Sequence, residues 1–107
     1  MTVPAVTRLA ILLTRGPETP DSRWALAIAS AAGARGVATE LFLMDEGADL
    51  LRKDWAERLD MRGVRVTVCT QTVAERSLPA DLLDVDYAGQ VQWGRLIRRS
   101  DRVLAFS

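Results

Sequence analysis

The sequence is 107 residues long, 49% hydrophobic and 26% charged, with fourteen basic residues against fourteen acidic ones. That length suits one domain over residues 1–107, able to bury a core without metal or disulfide staples, and a net charge of zero is not that of a general nucleic-acid binder, so no direct nucleic-acid contact is expected. With no histidine and one cysteine, the chain has no Ser-His-Asp triad, no histidine zinc site and no disulfide within itself.

The elements follow in order. Thr7 to Thr14 is an apolar run that reads as a buried strand. Its Leu9 to Leu13 core is far short of the roughly 20 apolar residues of a membrane span. Nothing at the start resembles a secretory leader. A soluble, cytoplasmic protein with no membrane contact is expected, and a lone thiol suits that reducing compartment. Arg15 to Pro20 is a loop with one Gly and two Pro. Asp21 or Ser22 is the expected cap of an Ala-rich helix running to about Arg35, which Gly36 stops. Val37 to Met44 is a second strand, closed by Asp45-Glu46-Gly47. Leu51, Trp55 and Leu59 fall on one face of a second helix, ended by Gly63. Val64 to Cys69 alternates and is β-branched, a third strand. Thr72 to Arg76 is a short helix and Ser77 to Gly89 a loop, with Val85 to Ala88 as a candidate short strand. Val91 to Arg99 is a helix with Trp93, Leu96 and Ile97 inward, and Arg102 to Phe106 is the final strand.

Strands alternating with helices predict an α/β fold with a parallel sheet and helices on both faces. Ligands and reactive groups of such sheets lie at the carboxyl ends of the strands. Cys69 stands at one of those ends, just before a predicted helix. Unpaired N–H groups at a helix start, and nearby cations, favour a thiolate. Thr70 and Thr72 add hydroxyls, and Arg76 is within reach of the thiolate or of a bound anion. Cys69 is thus a candidate nucleophile or covalent carrier. The same Val-Thr-Val-Cys also suits plain strand core, and spacing alone leaves both readings open.

Other patterns carry less. Cys69 and Arg76 form C-x6-R, one residue longer than the phosphate-cradling C-x5-R loop and without its glycine. No GxGxxG or GxxxxGK[ST] is present. A receiver domain would place an aspartate where Cys69 stands. Asp81, Asp84 and Asp86 read as a solvated loop rather than a cation site, and Asp45 with Glu46 as the cap of the following helix. Arg95, Arg98 and Arg99 make a basic stripe, either a solvated face or a docking patch for an acidic partner. Trp24, Trp55 and Trp93 lie on apolar helix faces, where core packing or a subunit interface explains them better than a ligand cage.

The order of these elements resembles the DsrE/DsrF/TusD-type sulfur-relay family over nearly the whole chain. The segments that carry the resemblance are Leu12-Leu13-Thr14, then Ala25, Ala29 and Ala32. Next come Gly36-Val37 leading to Leu41-Phe42-Leu43-Met44-Asp45-Glu46-Gly47, then Gly63-Val64 before the strand ending in Cys69, and last Ser100 to Phe106. Arg76-Ser77 departs from the family's Arg-Gly. The resemblance implies a three-layer α/β/α fold with a mostly parallel five-stranded sheet, and homo- or hetero-oligomers. It also implies sulfane sulfur carried as a persulfide on the cysteine after the third strand, a position that Cys69 matches. Sulfur would pass to or from a small TusA-like carrier protein, with no metal and no organic cofactor. Members without the cysteine serve as structural subunits, so a non-catalytic subunit or small-ligand binding module, with Cys69 in the core, is the alternative.

Overall fold

The short apolar runs become five parallel strands in a computed structural model, which describes residues 7–52, 61–79 and 85–107. They are β1 (Arg8–Leu13), β2 (Ala38–Leu43), β3 (Val64–Cys69), β4 (Val85–Ala88) and β5 (Arg102–Phe106), in the order β4-β3-β2-β1-β5. The helices are α1 (Pro20–Ala34), α2 (Thr70–Glu75) and α3 (Gln90–Arg99), and a 3-10 helix spans Asp45–Leu51. This is the expected α/β/α architecture with a parallel sheet.

Alternation along the strands sorts residues to two faces. Leu9, Ile11 and Leu13 of β1, Leu41 and Leu43 of β2, and Val66 and Val68 of β3 meet Ala25 and Ala29 of α1 in the buried core. Full burial of such side chains stabilises by about 1.5–3 kcal/mol each. The alanines of α1 let the helix lie close on the sheet. The other face holds Phe42, whose ring meets Trp93 of α3 at 5.6 Å between centroids. Beside it the register sets Glu40 against Arg65. Arg65 pairs with Asp86, and Arg99 of α3 reaches Glu40 at 3.5 Å.

Several element starts differ from expectation. Helix α1 begins at Pro20 with Thr19 as its cap, not at Asp21 or Ser22. Proline suits the first helical position because its missing N–H has no partner there anyway. The Thr19 hydroxyl accepts from the Ser22 N–H at 3.3 Å. Ser22 itself is buried and donates to the Gly16 carbonyl at 2.5 Å, pinning the loop. Of the predicted helix through Leu51, Trp55 and Leu59, Leu51 is the last residue of the 3-10 helix, whose cap Arg52 is extended, and Trp55 and Leu59 lie outside the described residues. Helix α2 begins at Thr70, two residues early, because β3 runs into it with no intervening loop. The candidate strand at Val85 to Ala88 is β4, so Asp86 sits on a strand paired with Arg65 rather than in a solvated loop; Asp81 and Asp84 lie outside the described residues. In α3, Leu96 is buried and Trp93 half-buried, but Ile97 is 42% exposed rather than inward. Trp24 is 64% exposed on α1, which excludes core packing for it.

Candidate functional site

The carboxyl edge of the sheet gathers the ends of β1, β2 and β3. The turn after β2 approaches β1 so closely that a Cβ at Gly47 would lie 2.1 Å from the Leu13 carbonyl oxygen. Only glycine fits there, and the Gly47 N–H closes the turn onto Met44 O at 2.9 Å. Asp45, with φ 51°, opens the 3-10 helix. The backbone N–H of Asp45 donates to the Thr72 hydroxyl at 3.3 Å, tying the β2 turn to α2.

Cys69 is the last residue of β3 and the N-cap residue of α2. Its thiol is free and 1% exposed. Of the other three residues that the sequence singled out, Thr70 is exposed on the first turn of α2. It borders a shallow, largely apolar hollow of about 590 Å³, formed with Val73, Ala74, Ser77, Leu78 and Tyr87. Cys69 is not among the residues lining that hollow. Thr72 is buried, its oxygen engaged by Asp45.

Arg76 is turned to a carboxylate. Its Nε donates to Asp49 Oδ1 at 3.0 Å and its Nη2 to Asp49 Oδ2 at 2.6 Å, a two-pronged pair from the end of α2 to the 3-10 helix. The hydrogen bond from Arg76 holds the Asp49 carboxyl below its ordinary range, with Arg52 adding a smaller pull from 3.4 Å. The hydrogen bond to Asp49 in turn raises Arg76, helped by the nearby charges of Glu46 and Asp45. The expectation of Arg76 beside the thiol or a bound anion therefore meets a guanidinium whose fork is already filled. Asp49 is the residue that the sequence reading missed. It lies 27 positions from Arg76, and no local spacing signals the pair.

No three His, Cys, Asp or Glu side chains cluster to hold a metal ion among the described residues. No helix among them is long and apolar enough to cross a membrane.

The model of the DsrE/DsrF-like family matches residues 7–106. The chain belongs to that family. As a DsrE/DsrF-like protein it joins a group that generally serves sulfur relay and works with sulfur carriers. Its structure is similar to the crystal structure of the ychN protein from E. coli, with a TM-score of 0.75. The two share 22% identity over 94% of this chain and 99% of that one, a likeness of fold. No curated protein matches the sequence. For a DsrE/DsrF-like chain the notable local feature is the closed state of the edge: Cys69 covered, Thr72 tied and Arg76 paired.

Proposed function

We propose that this protein carries sulfane sulfur on Cys69 and exchanges it with a small TusA-like carrier protein. The observation that supports this most is the position of Cys69, at the carboxyl end of a parallel strand where α/β sheets place their chemistry. In this reading the Cys69 thiolate attacks the outer sulfur of a donor persulfide, R–S–SH. One S–S bond forms at Cys69, the donor's S–S bond breaks, and the donor leaves as a thiol. The acceptor's thiolate then attacks the outer sulfur of the Cys69 persulfide by the same exchange, so that neither transfer is a net oxidation. With one cysteine in the chain, release falls to the partner's thiol. Burial of the thiol means that the edge around β3 and α2 opens when donor or acceptor docks. Thr70, Thr72 and Arg76 are the residues at that opening; for Arg76 to face the sulfur it leaves Asp49. The protein acts in the reducing cytoplasm, as a single domain in a homo- or hetero-oligomer, without a cofactor.

A second reading has an observation of its own. Cys69 at 1% exposure and Arg76 locked on Asp49 suit a structural subunit with a core thiol. Intact mass separates the two. Native protein incubated with a polysulfide gains one sulfur that reductant removes, and Cys69→Ser gains none, if Cys69 is the carrier. No gain, with a thiol that alkylates only after unfolding, overturns the carrier reading and leaves the subunit.

A further inference from the structure

Helix α3 exposes more apolar and basic surface than its own packing uses. Its inner side is occupied by Leu96, which is buried, and by Trp93 against Phe42, while Arg99 turns back to Glu40. On the opposite side Val91, Gly94 and Arg98 follow at i, i+3 and i+7, with Arg95 on one flank and Ile97 on the other. Val91 is 66% exposed. Among the described residues, neither Arg95 nor Arg98 has an ion-pair or hydrogen-bond partner. Gly94 is an independent observation. Glycine inside a helix weakens it, yet a Cβ at Gly94 would meet nothing within 4 Å. No packing among the described residues asks for the missing side chain, and its absence bares the helix backbone to whatever lies above.

We propose that this outward face of α3 docks an acidic partner protein, with an apolar side chain of the partner over Gly94 between Val91 and Ile97, and carboxylates on Arg95 and Arg98. Charge decides the occupant. A second copy presenting the same face would bring Arg95 and Arg98 against their own counterparts, a repulsive arrangement. Nucleic acid fits less well, because two unpaired arginines neutralise few phosphates and Val91 and Ile97 gain nothing from a phosphate backbone. A protein surface with carboxylates around an apolar residue satisfies both halves of the patch. The inference does not depend on Cys69 and holds for either reading of that thiol.

The test uses the full chain and a fluorescent amphipathic helical peptide of Glu and Leu, beside its Lys-for-Glu counterpart and a short DNA duplex of random sequence. Anisotropy at low salt is expected to show binding of the acidic peptide alone. The Arg95→Glu/Arg98→Glu double variant is expected to weaken it by about tenfold or more. Gly94→Leu is expected to weaken it while thermal melting stays cooperative. Gly94→Ala, which favours the helix, gives a second variant that retains the fold and still binds more weakly. The proposal is overturned if the acidic peptide does not bind, if the double variant binds it as well as the parent chain does, or if the DNA binds as tightly as the peptide.

Discussion

On the α1 side of the sheet, β1, β2 and β3 present Leu9, Ile11, Leu13, Leu41, Leu43, Val66 and Val68, all buried. On the α3 side the same strands alternate to Ala10, Leu12, Glu40, Phe42, Arg65 and Thr67, and among the described residues the ten-residue α3 covers part of them. One face is closed by apolar packing alone. The other mixes one aromatic contact with exposed or half-exposed ion pairs, each worth about 0–1 kcal/mol. The contrast shows how a period of two lets one set of strands serve two ends. Stability is concentrated on the α1 side, and the α3 side stays free to carry charge and recognition.

Substitutions can break that contrast, beginning with the largest. Ile11→Ala, in the core under α1, is expected to cost about 2–5 kcal/mol, while Ile97→Ala on α3 is expected to change stability by less than about 0.5 kcal/mol. Denaturant unfolding of the two variants checks this, and similar costs would erase the distinction between the faces. Next is Gly47→Ala. The new methyl would collide with the Leu13 carbonyl, so the 3-10 helix must shift, at a cost of about 1–3 kcal/mol. A melt of Gly47→Ala that overlays the parent would show that the β2 turn is not held against β1.

The smallest effect sharpens the picture at the carboxyl edge. Asp49 has its folded pKa lowered from the ordinary 3.8, chiefly by the Arg76 hydrogen bond. A depressed carboxyl stabilises the fold above its unfolded value, and that contribution disappears as pH falls through the lower, folded value. Asp49→Asn is therefore expected to melt below the parent at neutral pH, the two curves converging as pH drops below 3.8. A gap that persists into acid would assign the loss to packing instead of charge.

How far the sequence revealed all this depends on the range of each interaction. Strands β1, β2, β3 and β5 were legible because their patterns are local, and so was the place of Cys69 at the end of β3. The start of α1 was misjudged because Thr19, Asp21 and Ser22 are all good caps, and only the turn of Ser22 onto Gly16 decides among them. Ile97 shares a flank of α3 with Trp93, so periodicity alone assigned both inward; the described helix is rotated toward Leu96 and leaves Ile97 at the rim. For the candidate site, burial of Cys69 was one of the two readings that Val-Thr-Val-Cys left open, whereas capture of Arg76 by Asp49 joins the end of α2 to the 3-10 helix across 27 positions, and no pattern along the chain encodes it.

The strand order has a consequence in time. β5 pairs with β1, the last strand beside the first, and Asp101 clips that junction by accepting from the Thr7 N–H at 2.8 Å, the Thr7 hydroxyl at 2.7 Å and the Arg8 N–H at 2.9 Å. During synthesis, therefore, one edge of β1 stays open until β5 has left the ribosome. That contact closes the longest loop in the topology, a slow kind of step. While it waits, the nascent sheet shows a bare strand edge of the sort that chaperones guard and aggregation exploits.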